Sequence, residues 1–168
     1  MIKINRDRHR AAGLVAAGRH AHAALAFALL AGASLAAAAD DVVVTGAWVR
    51  ATVPGQPVAA AYLSIASARG ATLTHVRSDA AGSVQMHSMS EDGGVMRMRE
   101  LERLELPAGK TVRLAPAGTH LMLLQLTKPL RPGDSVALDL TVVDRAGVPQ
   151  VVHAIAPVST TAPAEASP

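Results

Sequence analysis

The sequence predicts an all-β fold, a sandwich or barrel of about eight to nine strands with Greek-key links. Three observations predict it. No helical period of any length appears after residue 40. Short apolar or alternating runs take its place. Turn residues punctuate those runs at the spacing of antiparallel sheets.

Taken in chain order, residues 1–39 come first and do not belong to that fold. Residues 1–22 are basic, with Lys3, Arg6, Arg8, Arg10 and Arg19 against Asp7 alone. Ala23 to Ala39 is an uncharged apolar run ending in Ala37-Ala38-Ala39, and Asp40-Asp41 follow at once. A positive region, an apolar region and a small-residue cleavage pattern, in that order, predict a secretory signal peptide. The run is short and alanine-rich for a membrane span. No cysteine follows it, which excludes a lipid-anchored form, and Arg8-His9-Arg10 is not a twin-arginine pair, so the general secretory route is expected. The expected location is periplasmic, with no stable membrane insertion after cleavage.

The strands then follow. The runs Val42–Arg50, Ala59–Ser67, Thr72–Ser78, Ser83–Ser90 and Val95–Glu100 are separated by Pro54-Gly55, Arg69-Gly70 and Asp92-Gly93-Gly94. Thr111–Ala115, His120–Leu126, Ser135–Val143 and Gln150–Ala156 complete the set, set off by Pro107-Ala108-Gly109, Pro132-Gly133 and Arg145-Ala146-Gly147. Residues 159–168, STTAPAEASP, are small, polar and of low complexity, so a disordered tail is expected after a folded domain of residues 40–158.

Composition narrows the function. The chain has no cysteine, which removes disulfide scaffolds, zinc–thiolate and iron–sulfur sites, thiol catalysis and thiolate-dependent blue copper. Aromatic residues are 2%, too few for stacking platforms that read single-stranded nucleic acid. The full chain carries +3, but residues 40–168 hold 11 basic and 12 acidic groups, a net −1. The domain therefore lacks the basic field that grips phosphate, and no nucleic-acid partner is expected.

The chemistry-bearing residues are methionines and histidines. Apart from Met1, all the methionines lie between residues 86 and 122: Met86, Met89, Met96, Met98 and Met122, interleaved with His87 and His120. A hairpin turn centred on Asp92-Gly93 places His87 opposite Met98 and Met89 opposite Met96. Alternation along a strand then puts His87, Met89, Met96 and Met98 on one face and Met86 on the other, toward the core. The His120-Leu121-Met122 spacing puts His120 and Met122 on one face of a second strand. Thioethers are soft neutral donors and imidazole a borderline one. Together they suit Cu(I) far better than Mg²⁺, Ca²⁺ or Zn²⁺. Methionine packing in irregular core gaps is the alternative for any one of these residues.

The segment Met86-His87-Ser88-Met89, with Gly93-Gly94-Val95-Met96-Arg97-Met98 and His120-Leu121-Met122, resembles the periplasmic copper chaperone family PCu(A)C. That family's motif is a histidine, ten residues, a methionine, twenty-one residues, then His-x-Met; His87, Met98, His120 and Met122 fit it. Gly46-Ala47-Trp48-Val49-Arg50, Ala61-Tyr62, Leu106-Pro107-Ala108-Gly109 and Pro129-Leu130 extend the resemblance across nearly the whole domain. The resemblance implies a cupredoxin-like sandwich binding one Cu(I) through His87, Met98, His120 and Met122. It also implies a metallochaperone, not an enzyme, that delivers copper toward cytochrome c oxidase assembly. The expected partner is a copper acceptor, either an oxidase copper centre or another copper chaperone, and a monomer is expected. Met89 and Met96 share the face of Met98 and are candidates for surrounding or transfer roles. The tail lacks the His and Met found in some members, so a second tail-based site is not expected. His75 and His153 read as surface or satisfied histidines. Rival readings are a copper buffer with no dedicated acceptor and a metal-free interaction module.

Overall fold

The computed structural model describes residues 41–164, and the expected signal peptide lies outside the described residues. The described chain is nearly all strand: β1 (Val42–Arg50), β2 (Val58–Ser67), β3 (Ala71–Arg77), β4 (Ala81–Asp92), β5 (Val95–Leu101), β6 (Leu104–Leu106), β7 (Thr111–Leu114), β8 (His120–Leu126), β9 (Ser135–Asp144) and β10 (Pro149–Ser159). Every expected strand is present. The tenth, β6, was not expected: Leu104-Glu105-Leu106 is too short to show a period, and it becomes a strand only by pairing with Ala71–Leu73 of β3.

The strands follow one hydrogen-bonded order, β5-β4-β8-β2-β1-β10-β9-β3-β6, with β7 also on β2. The order is hinged at β1 and β10, which pair in parallel only over Val49–Arg50 and Val158–Ser159. Its two halves enclose one apolar core. Leu63, Ile65, Met86, Leu121 and Leu123 come from the first half, and Leu73, Val136, Leu138, Leu140, Val142, Ala154 and Ala156 from the second. The second half alternates cleanly, with Val136, Leu138, Leu140 and Val142 of β9 buried and the residues between them exposed or half-buried. Ser159, expected to open the tail, closes β10, and its carbonyl accepts from Ala51 N–H at 2.9 Å.

Two features of this frame position the site. β7 and β8 lie end to end along one edge of β2, separated by a loop in which Ala115 N–H donates to Thr119 O at 2.7 Å. That loop delivers His120 at the first position of β8. In β1 the register slips between Thr45 and Trp48, and Gly46 takes φ 57°. The extra residue is a β-bulge, and it reverses which face successive residues occupy. Before it Val42 points into the core; after it Val49 does, and Trp48 turns to the opposite face.

Candidate metal centre

The β4–β5 hairpin carries most of the expected donors. Its turn is Gly93-Gly94, with φ 60° and 81°, and the flanking pair is Asp92 with Val95. A two-residue turn with both central residues at positive φ is type I′, which two glycines adopt without the Cβ penalty an aspartate would carry. The expected turn on Asp92-Gly93 is therefore one residue early. The corrected register pairs Met89 with Met98, His87 with Glu100 and Glu91 with Met96. Each partner moves by two, so every side chain keeps its face. His87 meets Met98 diagonally: His87 Nδ1 lies 2.9 Å from Met98 Sδ.

β8 lies on the other side of β4. His87 is directly opposite His120, with ring centroids 5.9 Å apart, and Gln85 is opposite Met122. His87, Met98 and His120 are thus brought together. Met122 is placed beside them on the same face, two residues beyond His120 in β8. Met89 is half-buried opposite Met98, and Met96 is exposed opposite Glu91 nearer the turn. Met86 is 5% exposed and belongs to the core, on the other face, as its parity predicts.

Hydrogen bonds decide which nitrogens carry lone pairs. His120 Nδ1 lies 2.9 Å from Gly118 O, and a carbonyl only accepts. The proton therefore sits on Nδ1 and the neutral ring offers Nε2. His87 Nε2 lies 3.0 Å from Gln85 Oε1, which also only accepts. That leaves the neutral His87 ring with its lone pair on Nδ1, the nitrogen that faces Met98. Neither Nδ1 nor the thioether then has a hydrogen to share, so the two stand as adjacent lone-pair donors rather than as a hydrogen-bonded pair.

The surroundings of His87 favour its neutral ring. The pKa of His87 is lowered from its ordinary 6.5, mainly because burial disfavours the charged ring, then by His120, with Glu100 opposing. Among the described residues no three of His, Cys, Asp and Glu come together as a metal group, so a hard, carboxylate-rich site is not what the fold assembles here. His75 is exposed on β3, and His153 pairs with Asp139 at 2.7 Å on the outer face of β9 and β10; both lie on other strands.

Two parts of the arrangement escaped the sequence reading. Gln85 carries no chemistry that singles it out, though its i, i+2 spacing to His87 is visible. The other part is a row of rings. Trp48 and Tyr62 lie 4.7 Å apart, and Tyr62 lies 6.4 Å from His120, so Trp48, Tyr62, His120 and His87 run across four adjacent strands. Trp48 is 2% and Tyr62 7% exposed, and Tyr62, backed by Trp48, stands beside His120 on the side away from His87. Burial raises the Tyr62 pKa, against a smaller lowering by Arg50. The Gly46 bulge brings Trp48 into this row, and an isolated glycine inside a strand was its sequence signal.

Fold and donors define a class: a cysteine-free, cupredoxin-like β-sandwich with a nitrogen–sulfur donor cluster beside one sheet edge. Residues 42–153 match the family described as "Putative lipoprotein LpqE-like", and the chain belongs to that family. The "Putative lipoprotein Lxx21020" of Leifsonia xyli subsp. xyli is 34% identical over 115 residues, 68% of this chain and 69% of that protein. The solution structure of CuI-DR1885 from Deinococcus radiodurans is 28% identical with a TM-score of 0.53, over 69% of this chain and 76% of that one. The apo PmoF2 PCuAC domain is 26% identical with a TM-score of 0.56, over 70% of this chain and 89% of the domain. The resemblance to PCu(A)C proteins drawn from the His and Met spacing is borne out in family and fold.

Proposed function

We propose that this chain is a periplasmic Cu(I) metallochaperone that binds one ion and delivers it toward cytochrome c oxidase assembly. The observation that carries the reading is the pairing of His87 Nδ1 with Met98 Sδ at 2.9 Å, opposite a His120 whose Nδ1 is tied to Gly118 O. His87, Met98, His120 and Met122 form the proposed ligand set: two borderline imidazoles and two soft thioethers, all neutral. The Cu(I) form of DR1885, a relative of the same fold, supports copper as the cargo.

Delivery on this reading is ligand exchange, not catalysis. Met98 is 52% exposed on the terminal strand, whereas His120 is 5% exposed. An acceptor ligand enters at the exposed side, and Met98 leaves first. His120 is held by its loop and by Tyr62, and it leaves last. The acceptor is an oxidase copper centre or another copper chaperone. The reading includes removal of residues 1–39 on export, a domain of residues 40–158 and a monomeric carrier. The lipoprotein wording of the family and its relative fits an exported chain. A lipid joined to cysteine sulfur has no attachment atom within these 168 residues.

Cu(I) titration against a chromophoric chelator tests the reading, with wild type beside Met98→Ala and His120→Ala. One tight equivalent, weakened in both variants and indifferent to Zn²⁺, is expected. A wild type that does not compete sinks the proposal and leaves a metal-free interaction module. Tight binding without transfer to any oxidase assembly protein leaves a buffer.

A further inference from the structure

The two ends of the sheet are built differently. One ends in β6, three residues long. The other ends in β5, seven residues long, paired to β4 from Met86 to Asp92 with no bulge. Val95 to Glu100 are all exposed, and among the described residues no strand pairs the outer edge of β5. Short strands, bulges and charged side chains are the usual guards against strand addition, and β5 has only the last, in Arg97, Arg99 and Glu100, which select the charge of what can pair there.

The hairpin geometry says which backbone groups face outward. In a two-residue type I′ hairpin the flanking residues, here Asp92 and Val95, exchange hydrogen bonds, and the pairs then alternate. Val95, Arg97 and Arg99 therefore direct N–H and C=O toward β4. Met96, Met98 and Glu100 direct theirs to the open edge. A strand added there pairs narrowly with Met98 itself, about 5.5 Å between Cα atoms. The side chain opposite Met98 then projects from the same face as His87 and His120. The next residues on either side of it stand opposite Arg97 and Arg99 on the other face.

We infer that the open edge of β5 is the docking site for the copper acceptor, which adds an extended segment carrying a soft donor between two acidic residues. This inference rests on the proposed Cu(I) site and names how its partner reaches it. Main-chain bonds to Met96, Met98 and Glu100 hold the segment, as in other strand-addition complexes. The acidic residues meet Arg97 and Arg99, and the donor between them lands beside the leaving thioether. A second copy of the chain is a poorer occupant. Antiparallel self-pairing centred on Met98 sets Arg97 against Arg99 of the other copy, and like charges directly opposite are destabilising.

The test uses the synthetic peptide TVEMEVT and its charge-reversed form TVKMKVT, added to the domain with and without Cu(I). Backbone hydrogen exchange is followed by NMR. Binding of the acidic peptide should protect the amides of Met96, Met98 and Glu100 and leave those of Val95, Arg97 and Arg99 unchanged, because β4 already holds the latter. Glu100→Pro removes one outward N–H, which an edge strand tolerates, and should weaken the peptide by about tenfold or more. Glu100→Gln removes the same charge, keeps the N–H and should bind as wild type. Equal binding of both peptides, protection elsewhere, or no loss in Glu100→Pro overturns the inference. Chelator titration of the same samples separates the two readings. Cu(I) binding without edge protection removes only the docking mode, whereas edge protection without Cu(I) binding removes the chaperone and with it the acceptor, leaving a strand-addition edge with no copper role.

Discussion

The β9–β10 ladder and the β4–β5 ladder are both long, unbulged and antiparallel, and they differ in what lies beneath them. Under β9, Val136, Leu138, Leu140 and Val142 are each at most 2% exposed. Along β5, every residue from Val95 to Glu100 is exposed. One ladder holds the sandwich together. The other stands at its margin and presents thioethers to solvent. The comparison teaches that the fold keeps its exposed thioethers apart from the side chains that hold the core, so that Met98 can be given up as a ligand without loosening that core.

The sharpest way to break that comparison is to damage the first ladder. Leu140→Ala empties a fully buried position and should cost about 2–5 kcal/mol in denaturant unfolding, with Cu(I) stoichiometry intact wherever the domain is folded. Met98→Ala is the converse. Cu(I) affinity should fall beyond the 10–100-fold typical of losing a ligand's supporting partner, while unfolding free energy stays within about 0.5 kcal/mol. A large stability loss in Met98→Ala would mean that β5 is structural after all. Gln85→Leu sits between them. It removes the acceptor that holds the His87 proton on Nε2, and Cu(I) affinity should drop about 10–100-fold. In apo protein the ¹⁵N shifts of His87 should move toward the other tautomer, and an unchanged tautomer would discard the role given to Gln85.

Acidification is a gentler probe of the same face. Because the His87 pKa is lowered from 6.5, the folded ring binds fewer protons than the unfolded one below that pH. The contribution is flat above pH 6.5 and is lost as pH falls through the lowered folded value. Cu(I) affinity should follow the same direction, since a protonated ring offers no lone pair. A chelator titration from pH 7.5 to 5 reads both the window and the sign, and affinity rising toward acid would refute it. The smallest effect is expected at the outer face of β9 and β10. His153→Ala breaks an exposed pair with Asp139, so both stability and copper binding should stay within about 0.5 kcal/mol of wild type.

Alternation and turn residues alone located the nine longer strands and set Met86 apart from His87, Met89, Met96 and Met98. That held even though the expected turn was one residue early. A period of two tolerates any even slip in partner, and moving the turn from Asp92-Gly93 to Gly93-Gly94 is such a slip. The chemistry of the donors was equally local, because the absence of cysteine and the clustering of methionine and histidine are properties of composition and spacing.

Four things were decided only in three dimensions. Leu104–Leu106 is a strand because β3 is beside it. Gln85 matters because its amide oxygen comes to lie 3.0 Å from His87 Nε2. Trp48 joins Tyr62 and His120 because a bulge at Gly46 turns the end of β1 over. The hydrogen-bonding phase of β5, which sends the backbone of Met98 outward, depends on which two residues form the turn. Residue order determines alternation and donor chemistry, since both are read within a few residues of each other. Pairing partners, ring nitrogens and open edges depend on which distant strands come to lie side by side, and only the folded sheet settles that.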